Sequence, residues 1–499
     1  MNLLPGKRLF VAYARIACAL LASKLAFPVS PVHAEGHFDP EVRFTNLTVV
    51  ARDAKTATIR FDITWDGSWR HEVNHDAAWV FFKVRANDPQ AEWRHVRLAA
   101  DRVLNPKGYG QATPPSAQPS NDGFLPWYLL GRADFGKSGD MERSLDFFAR
   151  ERVETQLEFL VPRGNDPSTG LGAGGFTGLF LRRAKNGAGR AEARGVTAIL
   201  DLTSIPDIPD IQRAQIRAFG LEMVYVAEGP FYLGTGGTET GVFYAYTEDG
   251  LSNPPYRVKS ADAIPTGRQP GKLWAQSVQP EDGGEIPAAF PNGYRAFYCM
   301  KQHLTPRRYA EFLETLTPAQ ADARWSPEIK SIERSGVSPN YVYTWHAGGA
   351  RNGAGLRRLL WADMAAYMAW AGLRPMTELE MEKIVRGPRP PIPEEAGPSY
   401  WGVSAFQVWL WEAGKGWDTM SECVVTVGNA TGRKFKGSHG LGSVALPADW
   451  PQDDGIGSGM RCTTYPEWNR ARVSDRFNAV RVDKERVDFR KFRAVRTAP

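Results

Sequence analysis

A chain of 499 residues is too long for one ordinary core, and 42% hydrophobic with 23% charged residues excludes a disordered or fibrous polymer. The formal net charge of +6 sits largely at the N-terminus, where Lys7, Arg8, Arg15 and Lys24 supply four positive charges with no acid among residues 1–34. The remaining chain is close to neutral, which excludes a charge-driven nucleic-acid binder.

Residues 1–34 read as a secretory signal peptide. A basic start precedes the apolar run LFVAYARIACALLASKLAF, and Val32 and Ala34 in VSPVHA fit a small-residue cleavage rule. Cys18, after Arg-Ile-Ala, is a weak match to a lipid-attachment box. The expectation is a secreted or periplasmic protein with no transmembrane segment after cleavage. Such a compartment is oxidising. Cys299, Cys423 and Cys462 therefore allow one disulfide and one thiol, with the pairing open.

Residues 38–215 read as a β-rich domain, a sandwich by its pattern. VRFTNLTVV, TATIRFDITW, AAWVFFKVR, WRHVRL, WYLLGRADF, ETQLEFLV and TGLFLRR are short, β-branched and aromatic. Residues 105–125 read as a long loop, and Pro206 and Pro209 break regular structure. Between two of the strands stands HEVNH, residues 71–75, the letter pattern of a zinc-protease helix. Zinc binding needs both imidazoles on one helical face. Strand-like flanks favour an inter-strand loop instead, solvated and without metal.

The second half carries helix signals. Thr305 and Pro306 open LTPRRYAEFLETL, with Tyr309, Phe312, Leu313 and Leu316 on one face. Gly372 ends LLWADMAAYMAWAG, and Thr377 with Glu380 has capping-box spacing in MTELEMEKIVRG. GLEMVYVAEGPFYLG reads as strand, turn and strand.

GLEMVYVAEGPFYLG (220–234), FYCMKQHLTPRRYAEFL (297–313), WADMAAYMAWAGLRPMTELEMEKIVRG (361–387), YWG (400–402), VTVGNATGR (425–433) and FRAVRTAP (492–499) together resemble the formylglycine-generating enzyme, or sulfatase-modifying factor, family. The likeness covers residues 218–499 and is nearest to secreted bacterial members of unknown function that also carry a β-rich N-terminal domain. It implies an α+β fold class: a C-type-lectin-like core preceded by an all-β sandwich.

The resemblance also implies a chemistry to look for. Family enzymes oxidise a substrate cysteine with copper(I), held by two thiolates that follow an R-G-G-S-[WY] strand. Here MRCTTYPEWNRARVSDRF (460–477) stands in that place. Arg461 and Tyr465 fit the motif's ends, Cys462 and Thr463 replace its glycines, and no cysteine follows. Copper would then need Cys462 with Cys423, the oxidase alternative. The related strands lie side by side in the family, which implies a structural Cys423–Cys462 bridge instead. The iron-dependent branch of the superfamily needs clustered histidines, whereas His303, His346 and His439 stand apart.

Two further groups are singled out. DTMSECVVTVGN departs from the family's G-N-V-W-E-W segment, which puts its calcium site in doubt; Asp453 and Asp454 are the remaining candidates for a structural Ca2+. Tyr465, Trp468, Arg472 and Arg476 are candidates for a ligand groove, with Arg493 as a further arginine. The alternative for the arginines is bracing of irregular loops. The expected function is a non-catalytic binding or assembly module of the bacterial envelope, with a protein or glycan partner.

Overall fold

The computed structural model describes residues 42–99, 157–160, 176–275, 277, 284–346, 356–393, 399–403, 421–461, 472–486 and 490–499, apart from 89, 250–251, 357 and 483. The expected signal peptide, the 105–125 loop and the WYLLGRADF strand lie outside these residues.

Eight strands come first: β1 (Arg43–Ala51), β2 (Thr56–Arg70), β3 (Asp76–Arg85), β4 (Arg94–Leu98), β5 (Leu157–Leu160), β6 (Leu179–Arg183), β7 (Gly187–Asp201) and β8 (Gln215–Val226). Short strands follow: β9 (Phe231–Leu233), β10 (Phe243–Ala245), β11 (Tyr256–Val258), β12 (Leu273–Ala275) and β13 (Phe297–Met300). Helices α1 (Pro306–Leu313) and α2 (Pro318–Arg324) precede the hairpin β14 (Ile332–Ser335) and β15 (Val342–Trp345). Then come α3 (Trp361–Trp370), β16 (Arg374–Pro375), α4 (Glu378–Arg386), β17 (Ser421–Val425), β18 (Ser458–Arg461), β19 (Arg490–Lys491) and β20 (Ala494–Thr497).

The α+β expectation is corrected by this inventory. The described residues are mostly β, with an antiparallel sheet of 11 strands and four α-helices. That sheet runs β1-β2-β7-β4-β3-β8-β13-β20-β16, with β6 on β3 and β5 on β6. Strands of the second half thus extend the sheet of the first. The undercount of strand has a physical cause. Capping residues announce helices, whereas strands of two to four residues, such as β9–β12 and β16, are too short to show a period of two.

β3 explains the layering. Ala78, Val80, Phe82 and Val84 face one core with Ile59, Phe61 and Ile63 of β2 and Val196 and Ala198 of β7. Ala77, Trp79 and Phe81, on the other face, join the core that holds Phe219, Met364 and Trp370. Successive side chains on a strand point to opposite faces, so a strand covered on both sides reads as an unbroken apolar run. β2 is the contrast: its alternating burial marks a layer with one face outward. β4 turns the corner between layers, pairing Phe82 with Val96 and Asp201 with Arg97.

The expected boundary at 215–218 falls inside β8, which pairs with β3 from Gln215 opposite Arg85 to Val224 opposite Asp76. Pro40–Pro499 forms one unit. Gly67, at φ 68°, makes a bulge where the β2–β7 register shifts between Trp65 and Ser68. A side chain there would be forced into the left-handed region.

The helix ends follow their caps. Thr305 Oγ1 accepts from Arg308 N at 3.3 Å, and Thr377 with Glu380 forms the expected capping box. Gly387, at φ 66°, closes α4 against the Tyr400 ring. Among the described residues no helix is long and apolar enough to cross a membrane.

Candidate functional site

All nine residues of α4 are buried, and five of them are charged: Glu378, Glu380, Glu382, Lys383 and Arg386. A buried charge needs partners, so the helix dictates what surrounds it. Glu378 accepts from Arg476 Nε at 2.8 Å, Arg461 Nη1 at 3.3 Å, Val427 N at 2.7 Å and Thr426 Oγ1 at 2.9 Å. Glu382 accepts from Arg461 Nη2 at 2.7 Å, Arg386 Nη1 and Ser474 Oγ at 3.0 Å and Gly234 N at 2.8 Å. Burial opposes ionisation of both carboxyls, but the facing guanidiniums outweigh it and hold them below the usual glutamate range. Arg374 grips Glu380 with two bonds, at 2.6 and 2.9 Å.

Lys383 points the other way. Its ammonium donates to Gly293 O at 2.6 Å and Tyr294 O at 2.9 Å. Burial pushes it down to about 7, against the pull of Glu380 and Glu228.

A second cluster joins β17 to the segment after β13. His303 Nε2 lies 2.6 Å from Glu422 Oε1, and Arg493 pairs with the same carboxylate. Burial, with the Arg493 charge, lowers His303 to about 4. Glu422, despite burial, is lowered to about 2, chiefly by Arg493 and then His303.

Of the four groove candidates, Arg472 and Arg476 are among the described residues. Arg476 is 1% exposed and lies over the Phe243 ring, 3.8 Å from its centroid, with Nη1 on Gly241 O at 3.0 Å. It is a core arginine. Arg472 is half-buried, and its carbonyl accepts from Asp475 N at 3.2 Å. Cys462, Tyr465 and Trp468 lie outside the described residues. Asp453 pairs with Arg324 at 3.2 Å, and Asp454 accepts from Ile456 N at 3.0 Å in a surface turn.

The two described sulfurs do not fit a copper(I) pair. Cys299 is buried, its Sγ is 3.5 Å from Met300 O, and burial raises its thiol well above the ordinary value. That keeps it protonated, whereas copper(I) wants thiolate. Cys299 senses Glu422 and Arg493, while Cys423 follows Glu422 on β17 and so projects to the opposite face of that strand. Cys423 is buried opposite Met460 of β18.

HEVNH is a turn between β2 and β3, closed by His71 N on Asn74 O at 2.8 Å. It is not a helix, as expected, and only its first half, His71 and Glu72, meets solvent. Val73, Asn74 and His75 are buried. His75 stacks on Tyr225 at 4.8 Å, and its Nε2 lies 2.9 Å from Tyr298 Oη and 3.1 Å from Arg182 Nη1. Glu158 pairs with Arg182 at 2.7 Å and with Arg70 at 2.5 Å. Sequence reading missed this cluster because its members come from the turn and from five separate strands; only the clash of a histidine with an apolar strand start hinted at it.

No group of three His, Cys, Asp or Glu side chains poised for a metal is found among the described residues. No family model matches the sequence, and a search of curated proteins finds no match.

Proposed function

We propose that the protein is a non-catalytic binding or assembly module of the bacterial envelope, secreted through residues 1–34, with a protein or glycan as partner. The observation that carries this reading is the closed ion network of α4. Arg476, a groove candidate, and Arg461, which fits one end of the expected copper-site motif, are bonded to Glu378 and Glu382 instead. Charges neutralised in the interior hold a scaffold in register and have no bond left to offer a ligand. Contact with a partner then belongs to the surface and its loops.

A copper(I) titration of reduced protein tests the reading against the oxidase alternative. The module predicts no tight one-to-one binding, and a partner captured by native protein from envelope fractions with no change in its cysteines. Tight copper binding lost on Cys462→Ser, with conversion of a substrate cysteine to an aldehyde, overturns it.

A further inference from the structure

Directly after His75, strand alternation sends Asp76 to the opposite face of β3, into a second buried cluster. Asp76 is 0% exposed and Glu222 8%. Asp76 Oδ1 accepts from Ser68 Oγ at 3.0 Å and Trp69 N at 2.9 Å, and Oδ2 from Trp65 Nε1 at 3.4 Å. Lys301, just past β13, reaches both acids: its Nζ pairs with Glu222 Oε1 and lies 3.6 Å from Asp76 Oδ2. The same ammonium donates to Gly67 O, on the bulge of β2, at 3.1 Å. From β6, Arg183 Nε donates to the Ser68 hydroxyl at 3.2 Å.

Two observations conflict with a pair of bare carboxylates. Two acids share one ammonium, which would leave a net negative charge buried. Glu222 Oε2 is buried and meets no donor, while Lys301 holds the Glu222 and Asp76 carboxyls on one ammonium. Two carboxylates are both acceptors, so nothing joins them until one carries a proton. One proton resolves both problems: it neutralises the excess charge and joins the two carboxyls by a hydrogen bond.

We propose that Asp76 and Glu222 form a one-proton site, a carboxylic acid bonded to a carboxylate and locked by Lys301, which ties the Gly67 bulge to β8 and β13 and loosens when that proton leaves. Burial, together with the Asp76 charge, pushes Glu222 well above the usual carboxyl range despite Lys301, in line with this. A carboxyl raised in the folded state stabilises fully below its unfolded value, and that contribution is lost as pH rises toward the folded value. Alkali is therefore the side on which the joint weakens.

Infrared spectroscopy of the full chain carrying 13C-labelled glutamate reads the proton directly, and the label separates Glu222 from aspartic acids. Wild-type protein at about pH 7 is expected to show one protonated glutamate carbonyl band, lost on raising the pH. Glu222→Gln, which mimics the protonated acid, is expected to lack the band. Its thermal midpoint should match wild type near about pH 4.5 and rise progressively above it at higher pH. Absence of the band in neutral wild-type protein, a measurement that needs no variant, overturns the proposal. So does persistence of the band in Glu222→Gln.

Discussion

The two sides of the molecule keep their interiors by opposite means. Between β2, β7 and β3 the core is aliphatic and aromatic, with Ile59, Phe61, Ile63, Val80 and Phe82 in contact. Around α4 it is ionic, with Glu378, Glu382, Arg386, Arg461 and Arg476 all at 1% exposure or less. An apolar core loses stability in proportion to the volume removed. An ionic core fails by partners, because deleting one charge leaves the others buried and uncompensated. The first should bend under substitution and the second should break.

The largest effect is expected at Glu378. Glu378→Ala strands the guanidiniums of Arg461 and Arg476 and should cost about 3–5 kcal/mol, read as a fall in the urea midpoint. Replacing Glu378, Arg461 and Arg476 together with apolar residues of similar volume should recover most of that loss. If the triple variant is worse than the single one, the network stabilises outright and the contrast with the apolar core disappears.

An intermediate effect is expected in the His303–Glu422–Arg493 cluster, and it depends on pH. His303 is lowered from 6.5 to about 4, and Glu422 from 4.5 to about 2. Both folded values are depressed, so both contributions are complete above the unfolded values and are lost as pH falls. Stability should decline from about pH 6.5 downward, first through His303 and then, below about 4.5, through Glu422. His303→Gln should flatten the upper part of that decline and leave the lower part. An unchanged slope in unfolding midpoints above about pH 4.5 would remove His303 from the account.

This contrast also separates what was legible in the chain from what was not. DAAWVFFKVR could be read as a buried strand from its run alone, and Thr377 with Glu380 set the start of α4. Nothing local pairs Glu378 with Arg476, because the bond spans 98 residues and charge alone names no partner. Arg476 accordingly looked like a groove residue and is part of the core. β7 was invisible for another reason: GAGRAEARGVTAILD is rich in Gly and Ala, poor strand formers, and is held extended by its register with β2. The α2 helix was within reach, since Thr317, Pro318 and Gln320 make a full capping box.

In the apolar core a single methyl gives the calibration. Ile59→Val should cost about 1 kcal/mol, with the unfolding slope unchanged, because Ile59 is fully buried and the loss is one methyl group. A cost as large as that of Glu378→Ala would mean that this core too is rigid against small changes, and the distinction between bending and breaking would fail.

The smallest effect is expected at the surface, at Asp453. Its side chain is 69% exposed and faces Arg324, 16% exposed, at 3.2 Å. Solvent screens such a pair, and holding two flexible side chains in one geometry offsets much of the attraction, so exposed pairs contribute about 0–1 kcal/mol. Asp453→Asn should therefore shift the urea midpoint by no more than the scatter of the measurement. The same variant decides what the Asp453–Asp454 turn is for. If the turn only links loops, millimolar calcium raises the thermal midpoint of neither protein. If calcium raises the midpoint of wild type and Asp453→Asn abolishes that rise, the aspartates hold an ion, and a surface turn bearing two acids becomes a third way this chain keeps its shape, beside the apolar and the ionic core.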